Sequence, residues 1–157
     1  MSIKTNFESR ITNLLKRIEF LEKQDENEEI ISDLSRYLCL LVSGYFEKVF
    51  KSYLLDFIST NSNKQIEHYF SDGIIKKINN FNMDKVRGTL KNFDENWDKE
   101  IKKLPKFSEY KESMDYIYIN RNNIAHGADT TVVHRDLQIH YNKIRDFLEN
   151  LEKVFVL

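Results

Sequence analysis

Residues 30–57 read IISDLSRYLCLLVSGYFEKVFKSYLLDF, and this stretch decides the fold. Ile30, Ile31, Leu34, Tyr37, Leu38, Leu41, Val42, Tyr45, Val49, Phe50, Tyr53, Leu54 and Phe57 recur at three- and four-residue steps. That period stacks side chains on one face of an α-helix, and so broad an apolar stripe predicts the central core helix. On its N-terminal side, Phe7, Ile11, Leu14, Leu15, Ile18 and Leu21 predict an amphipathic helix ending near Lys23. Asp25-Glu26-Asn27-Glu28 then reads as a capping box for the long helix, with Asp25 and Glu28 as the reciprocal pair.

On the C-terminal side, Ser59-Thr60-Asn61-Ser62-Asn63 breaks the long helix. Ser62 with Gln65 repeats the capping pattern ahead of a third helix through Ile66, Tyr69, Phe70, Ile74, Ile75 and Ile78, with an interruption expected at Gly73. From Asn79 to Lys111 the periodicity weakens. A short helix over Asp84 to Lys91 is followed by an irregular, charged stretch holding Trp97 and Pro105. Ser108 is positioned to cap a fourth helix carrying Tyr110, Met114, Ile117 and Tyr118, with Gly127 as its stop. Val133, Leu137, Tyr141, Ile144, Leu148, Leu151 and Phe155 mark a last amphipathic helix. The expectation is one all-α domain over residues 1–157, a compact bundle of about five helices with an irregular insertion before the fourth.

Composition narrows the function classes. Four Gly and one Pro are too few for the turns of a sandwich or barrel. Cys39 is the sole cysteine, which excludes an intrachain disulfide and a Cys-based zinc cluster and points to a reducing compartment. Its neighbours Leu38, Leu40 and Leu41 predict a buried, inert thiol. Met1 to Asn6 carry no apolar signal segment and no stretch approaches a membrane span, so a soluble, cytoplasmic protein is expected. A net charge of −1 gives no global attraction to nucleic acid or anionic membranes. Residues 64–111, with eleven Lys and Arg against eight Asp and Glu, form a basic middle third.

The segment with chemical promise is Arg121-Asn122-Asn123-Ile124-Ala125-His126-Gly127, an R-x4-H pattern. Seven Arg and four His would give on the order of 0.2 such matches by chance, and a second match, Arg135 to His140, lies inside the last helix. Residues five apart on a regular helix differ by about 140° in direction, so such a pair shares a site only where the helix ends or distorts. Two Asn, a small Ala125 and Gly127 loosen the first copy, whereas Arg135 and His140 read as ordinary faces of a stable helix. His68 and His134 lack partners at metal-binding spacing and are expected at the surface or at helix caps; no metal and no cofactor are expected.

RNNIAHG resembles the R-[polar]-x3-H signature of HEPN domains, and the helix LCLLVSGYFEKVFKSYLLDFI is similar to one found in bacterial proteins of the RiboL-PSP-HEPN type. The resemblance implies a helical bundle from residue 7 to residue 155 and a metal-independent RNA endonuclease acting by 2′-hydroxyl attack. His126 would transfer protons, Arg121 would grip the scissile phosphate with its fork, and Asn122 would orient substrate or site. One His per chain leaves acid and base roles to be shared, so the resemblance implies a homodimer with a composite site. Toxin–antitoxin or antiviral defence is the implied setting, with RNA as substrate and an antitoxin or defence-system protein as a further partner.

Glu47, beside Gly44 on the long helix, is a supporting candidate that could pair with Arg121. Tyr118, Lys103, Lys106 and Lys111 are the candidates for RNA contact, through stacking and charge. The competing expectation is a non-catalytic HEPN module that binds RNA, a nucleotide or a partner protein. An intact Arg121-Asn122-His126 set favours the enzyme, and the absence of an overall basic surface favours the binding module.

Overall fold

The computed structural model describes residues 1–25 and 27–156. Among them are seven α-helices: α1 Ile3–Glu22, α2 Glu28–Asn61, α3 Lys64–Gly73, α4 Met83–Phe93, α5 Glu95–Lys102, α6 Phe107–Ala125 and α7 His134–Val156. A 3₁₀ turn, Ile75–Lys77, follows α3. The architecture is all-helical, as the apolar periodicities require, but with seven helices where about five were expected.

α4 matches the short helix expected over Asp84 to Lys91 and buries Met83, Val86, Thr89 and Leu90, whereas α5, in the stretch expected to be irregular, buries Trp97, Asp98 and Ile101. Each runs only two or three turns and places a polar residue inside, which dilutes the apolar signal that marks a longer helix. Asp98 is buried because Arg87 grips both its oxygens, at 2.7 and 3.2 Å, with Lys91 at 3.5 Å. Those cations hold its carboxyl below the usual carboxylate range against the opposing effect of burial.

The long helix α2 is the axis. Leu38, Val42, Tyr45, Val49, Phe50 and Leu54 are buried along it, each side chain withdrawn from water adding about 1.5–3 kcal/mol. Tyr45 meets Glu8 and Tyr37 meets Arg10, so α1 runs antiparallel to α2. α7 runs parallel to α2, with Tyr45 against Tyr141 and Tyr53 against Glu152, while α6 runs antiparallel to α7, with Tyr110 on Phe147 and Tyr116 on His140. Phe46, Phe50, Phe81 and Phe147 interlock at the centre, and Phe57, Phe93, Trp97 and Phe155 extend that cluster under α5. Cys39 is fully buried, and burial pushes its thiol up to about 12.

The helix starts are displaced by a residue or two. Glu26 of the expected capping box lies outside the described residues, and the cap of α2 is Asn27, which makes no side-chain cap bond. At α3 the cap is Asn63, whose oxygen takes the Ile66 N–H, while the Ser62 hydroxyl donates back to the Ile58 carbonyl. α6 begins at Phe107 after Lys106, placing Ser108 inside the first turn. Where several Ser, Asn and Asp stand together, each is chemically competent to cap, and packing of the following helix selects among them. Gly73 ends α3, where the interruption was expected.

Candidate functional site

The last turn of α6 is the starting point. Tyr110, Met114 and Ile117 form its buried stripe, and Arg121 and Ile124 continue that stripe at half-burial. His126, exposed, is the C-cap. Gly127 follows at φ 72°, a left-handed conformation that costs glycine nothing. Gly127 N–H donates to the Ile124 carbonyl and Ala128 N–H to the Asn123 carbonyl, the paired bonds of a Schellman motif. The helix therefore ends within the R-x4-H segment, with His126 still bonded through its N–H to the Asn122 carbonyl and the chain turning away at Gly127. Arg36 of α2 holds the outgoing strand of chain by its Nε bond to the Thr130 carbonyl at 3.2 Å.

A polar chain converges on Arg121. Its Nη1 donates to Asn122 Oδ1 at 3.3 Å, and the same oxygen receives Asn80 Nδ2 at 2.7 Å. Asn80 N–H donates to Glu47 Oε2 at 3.0 Å, and Lys51 Nζ donates to Glu47 Oε1 at 2.9 Å. Burial pushes the Glu47 carboxyl up, but the Asn80 N–H and Lys51 outweigh it and hold the group below the usual carboxylate range. Glu47 is thus a charged anchor. In place of the expected Glu47–Arg121 pair there is an indirect link through Asn80 and Asn122.

Among the described residues Arg121 makes no ion pair, so amides orient its guanidinium without neutralising it. Its one hydrogen bond leaves four of its five N–H donors without an acceptor among the described residues. A planar fork of this kind matches a phosphate in two-point contact.

The expected RNA-contact residues divide. Tyr118 lies beside this site, with Lys85 Nζ 5.5 Å from its ring centroid. Lys111 lies about 15 Å back along α6 from Arg121 at the helical rise, and Lys103 and Lys106 precede α6 altogether. All three are ion-paired, to Asp115, Glu100 and Asp146 respectively. The cation near the signature is instead Lys85, which bonds the Asn80 carbonyl at 3.1 Å. Sequence reasoning missed Asn80 and Lys85. The only signal was the Asn-rich run Asn79-Asn80-Phe81-Asn82, whose residues favour turns and tolerate left-handed backbone.

The second R-x4-H copy is split. Arg135 points to the end of α1, with Nη2 3.1 Å from Glu22 Oε1, while His140 faces α6, with Nδ1 2.9 Å from Ser113 Oγ and its ring stacked on Tyr116 at 4.0 Å. Burial holds the His140 imidazole below its usual range. His134, expected at a surface or cap, is buried with Nε2 3.3 Å from Glu22 Oε2. His68 is exposed and, contrary to the expectation of no acidic partner, lies 3.1 Å from Asp72 one helical turn on. No three His, Cys, Asp or Glu side chains among the described residues are grouped to hold a metal ion. No described helix is long and apolar enough to cross a membrane.

A model of the RiboL-PSP-HEPN family matches residues 5–156, nearly the whole chain. Neither the curated proteins nor the solved structures give a significant match.

Proposed function

The chain belongs to the RiboL-PSP-HEPN family, and on that footing we propose that it is a metal-independent RNA endonuclease using Arg121, Asn122 and His126. The observation that carries this reading is the half-buried Arg121 guanidinium, oriented by the Asn122 amide and uncompensated by any described carboxylate. Such a group is matched to a phosphate that gains negative charge as the ribose 2′-oxygen attacks phosphorus. A base removes the 2′-hydroxyl proton, an acid protonates the departing 5′-oxygen, and a cyclic phosphate results. His126 is exposed at the helix end, where an imidazole is free to meet a substrate.

One imidazole per chain serves one of the two proton-transfer roles at a time. A homodimer that joins two α6 ends would supply both, as a composite site of twofold symmetry. Toxin–antitoxin or antiviral defence is the setting we propose, with an antitoxin-like protein as a further partner.

The test is cleavage of total cellular RNA by the purified protein beside an equally folded, equally oligomeric His126→Ala variant. Cleavage by the parent alone that survives excess chelator supports the reading. A second reading, a non-catalytic module binding RNA, a nucleotide or a partner protein, draws support from the pairing of Lys103, Lys106 and Lys111 with carboxylates. Binding of RNA or a partner without cleavage by either protein would favour it.

A further inference from the structure

Asn80 stands between the 3₁₀ turn and α4 at φ 55°, the one described residue other than glycine with positive φ. Its backbone is clamped on both sides, the N–H by Glu47 and the carbonyl by Lys85. Its side-chain Nδ2 makes the short bond to Asn122, and its Oδ1 is buried with no hydrogen-bond partner among the described residues. These features have a common explanation. A guanidinium only donates, so the Asn122 atom facing Arg121 must be the oxygen, and Asn80 must then present its NH₂ to that same oxygen. Turning the Asn80 amide over would set two oxygens against each other. The direction of both amides is therefore dictated by Arg121, and the unpartnered Asn80 oxygen is the consequence.

Asparagine tolerates the left-handed backbone, but an orphaned buried acceptor is unfavourable and persists only where the surroundings over-determine it. Here the surroundings are Glu47 on α2, Lys85 on α4 and Asn122 on α6. We propose that Asn80 is a positioning residue, which fixes Asn122 and through it the direction of the Arg121 fork while leaving the arginine charge free for the RNA phosphate. Its kinetic consequence rests on the ribonuclease reading; its structural consequence does not. A carboxylate at this position would set an oxygen against Asn122 Oδ1 and bring a negative charge close to Arg121, which gives a physical reason for an amide.

Asn80→Gly tests this, because glycine accepts the left-handed backbone and keeps the N–H for Glu47 and the carbonyl for Lys85. The expected result is a fall in kcat of about 10- to 100-fold with KM within about threefold, the scale on which an outer group tunes a catalytic one. The double variant Asn80→Gly/Asn122→Ala should be no more than about twofold slower than Asn122→Ala alone, since both changes remove one interaction. Independent, multiplying losses would overturn the proposal. Asn80→Asp should lose activity and raise KM, and an Asp variant as active as the parent would also overturn it. Side-chain NMR separates this inference from the ribonuclease reading. Whether or not the parent cleaves RNA, Asn80→Gly should shift the Arg121 guanidinium and Asn122 amide signals and leave Arg135 unmoved. Unchanged Arg121 signals would refute the positioning role, whereas shifted signals in a protein that cleaves no RNA would sink only the ribonuclease reading.

Discussion

The chain carries two R-x4-H segments, and their environments are opposites. Arg121 and His126 lie at the end of α6, where a Schellman turn closes the helix, the histidine is exposed and the arginine has no carboxylate partner among the described residues. Arg135 and His140 lie in the first two turns of α7, where regular geometry sends them to different neighbours, Glu22 on α1 and Ser113 and Tyr116 on α6. Equal spacing thus produces one pair at a helix end and one pair divided between two neighbours, an exposed Arg135 on Glu22 and His140 on Ser113 and Tyr116. What distinguishes them is the helix end, not the residue types.

The largest expected effect separates the copies by activity. His126→Ala should reduce RNA cleavage by at least about 100-fold, the lower end of what a proton-transfer group contributes. His140→Ala, compared at equal folded concentration, should stay within about threefold. A matching loss at both, measured by initial rates, would break the distinction between the copies. An intermediate effect is expected for the helix end itself. Alanine at position 127 must adopt φ 72°, at a cost of about 1–2 kcal/mol. Gly127→Ala should therefore lower the urea midpoint and also slow cleavage by displacing His126. No change in stability would show that the left-handed turn is not required.

The smallest effect concerns pH, and it belongs to the packed copy. Because burial depresses the His140 pKa, the folded state binds fewer protons than the unfolded one between the folded value and the ordinary 6.5. Its contribution to stability is present above pH 6.5 and is lost as pH falls toward the folded pKa. The melting temperature of a His140→Gln variant should therefore decline less between pH 7 and pH 5 than that of the parent. Identical slopes would place His140 in a more hydrated environment than its stacking on Tyr116 implies.

Much of this was legible before any coordinates. The stripes of α1, α2 and α7 identify three long helices because burial on one face repeats with the helical period over many turns. Arg121, Asn122 and His126 stood out for their local composition, and Gly127 for its helix-stopping role. α5 was not legible: eight residues with a buried Asp98 carry too little period, and the Arg87 that compensates that charge is on another helix. Lys103, Lys106 and Lys111 looked like an RNA-binding group in sequence, yet each is matched to a carboxylate, in one case across to Asp146 of α7. On a rigid helix the separation of Lys111 from Arg121 already amounts to about 15 Å, so nearness in sequence did not put these lysines beside the motif.

The sequence by itself determined the all-helical class, most helix positions and the placement of an arginine, an asparagine and a histidine at one helix end. These follow from interactions among residues three and four apart, which a linear reading captures. Only the tertiary structure decided what surrounds Arg121. Asn80 meets Asn122 across 42 positions and Glu47 across 33, through a left-handed turn that the local Asn-rich run permits without specifying its partners. The packing of α6 on α2 and of α4 on α6 brings those groups within hydrogen-bond distance, and it leaves the Arg121 charge held by an amide instead of cancelled by a described acid.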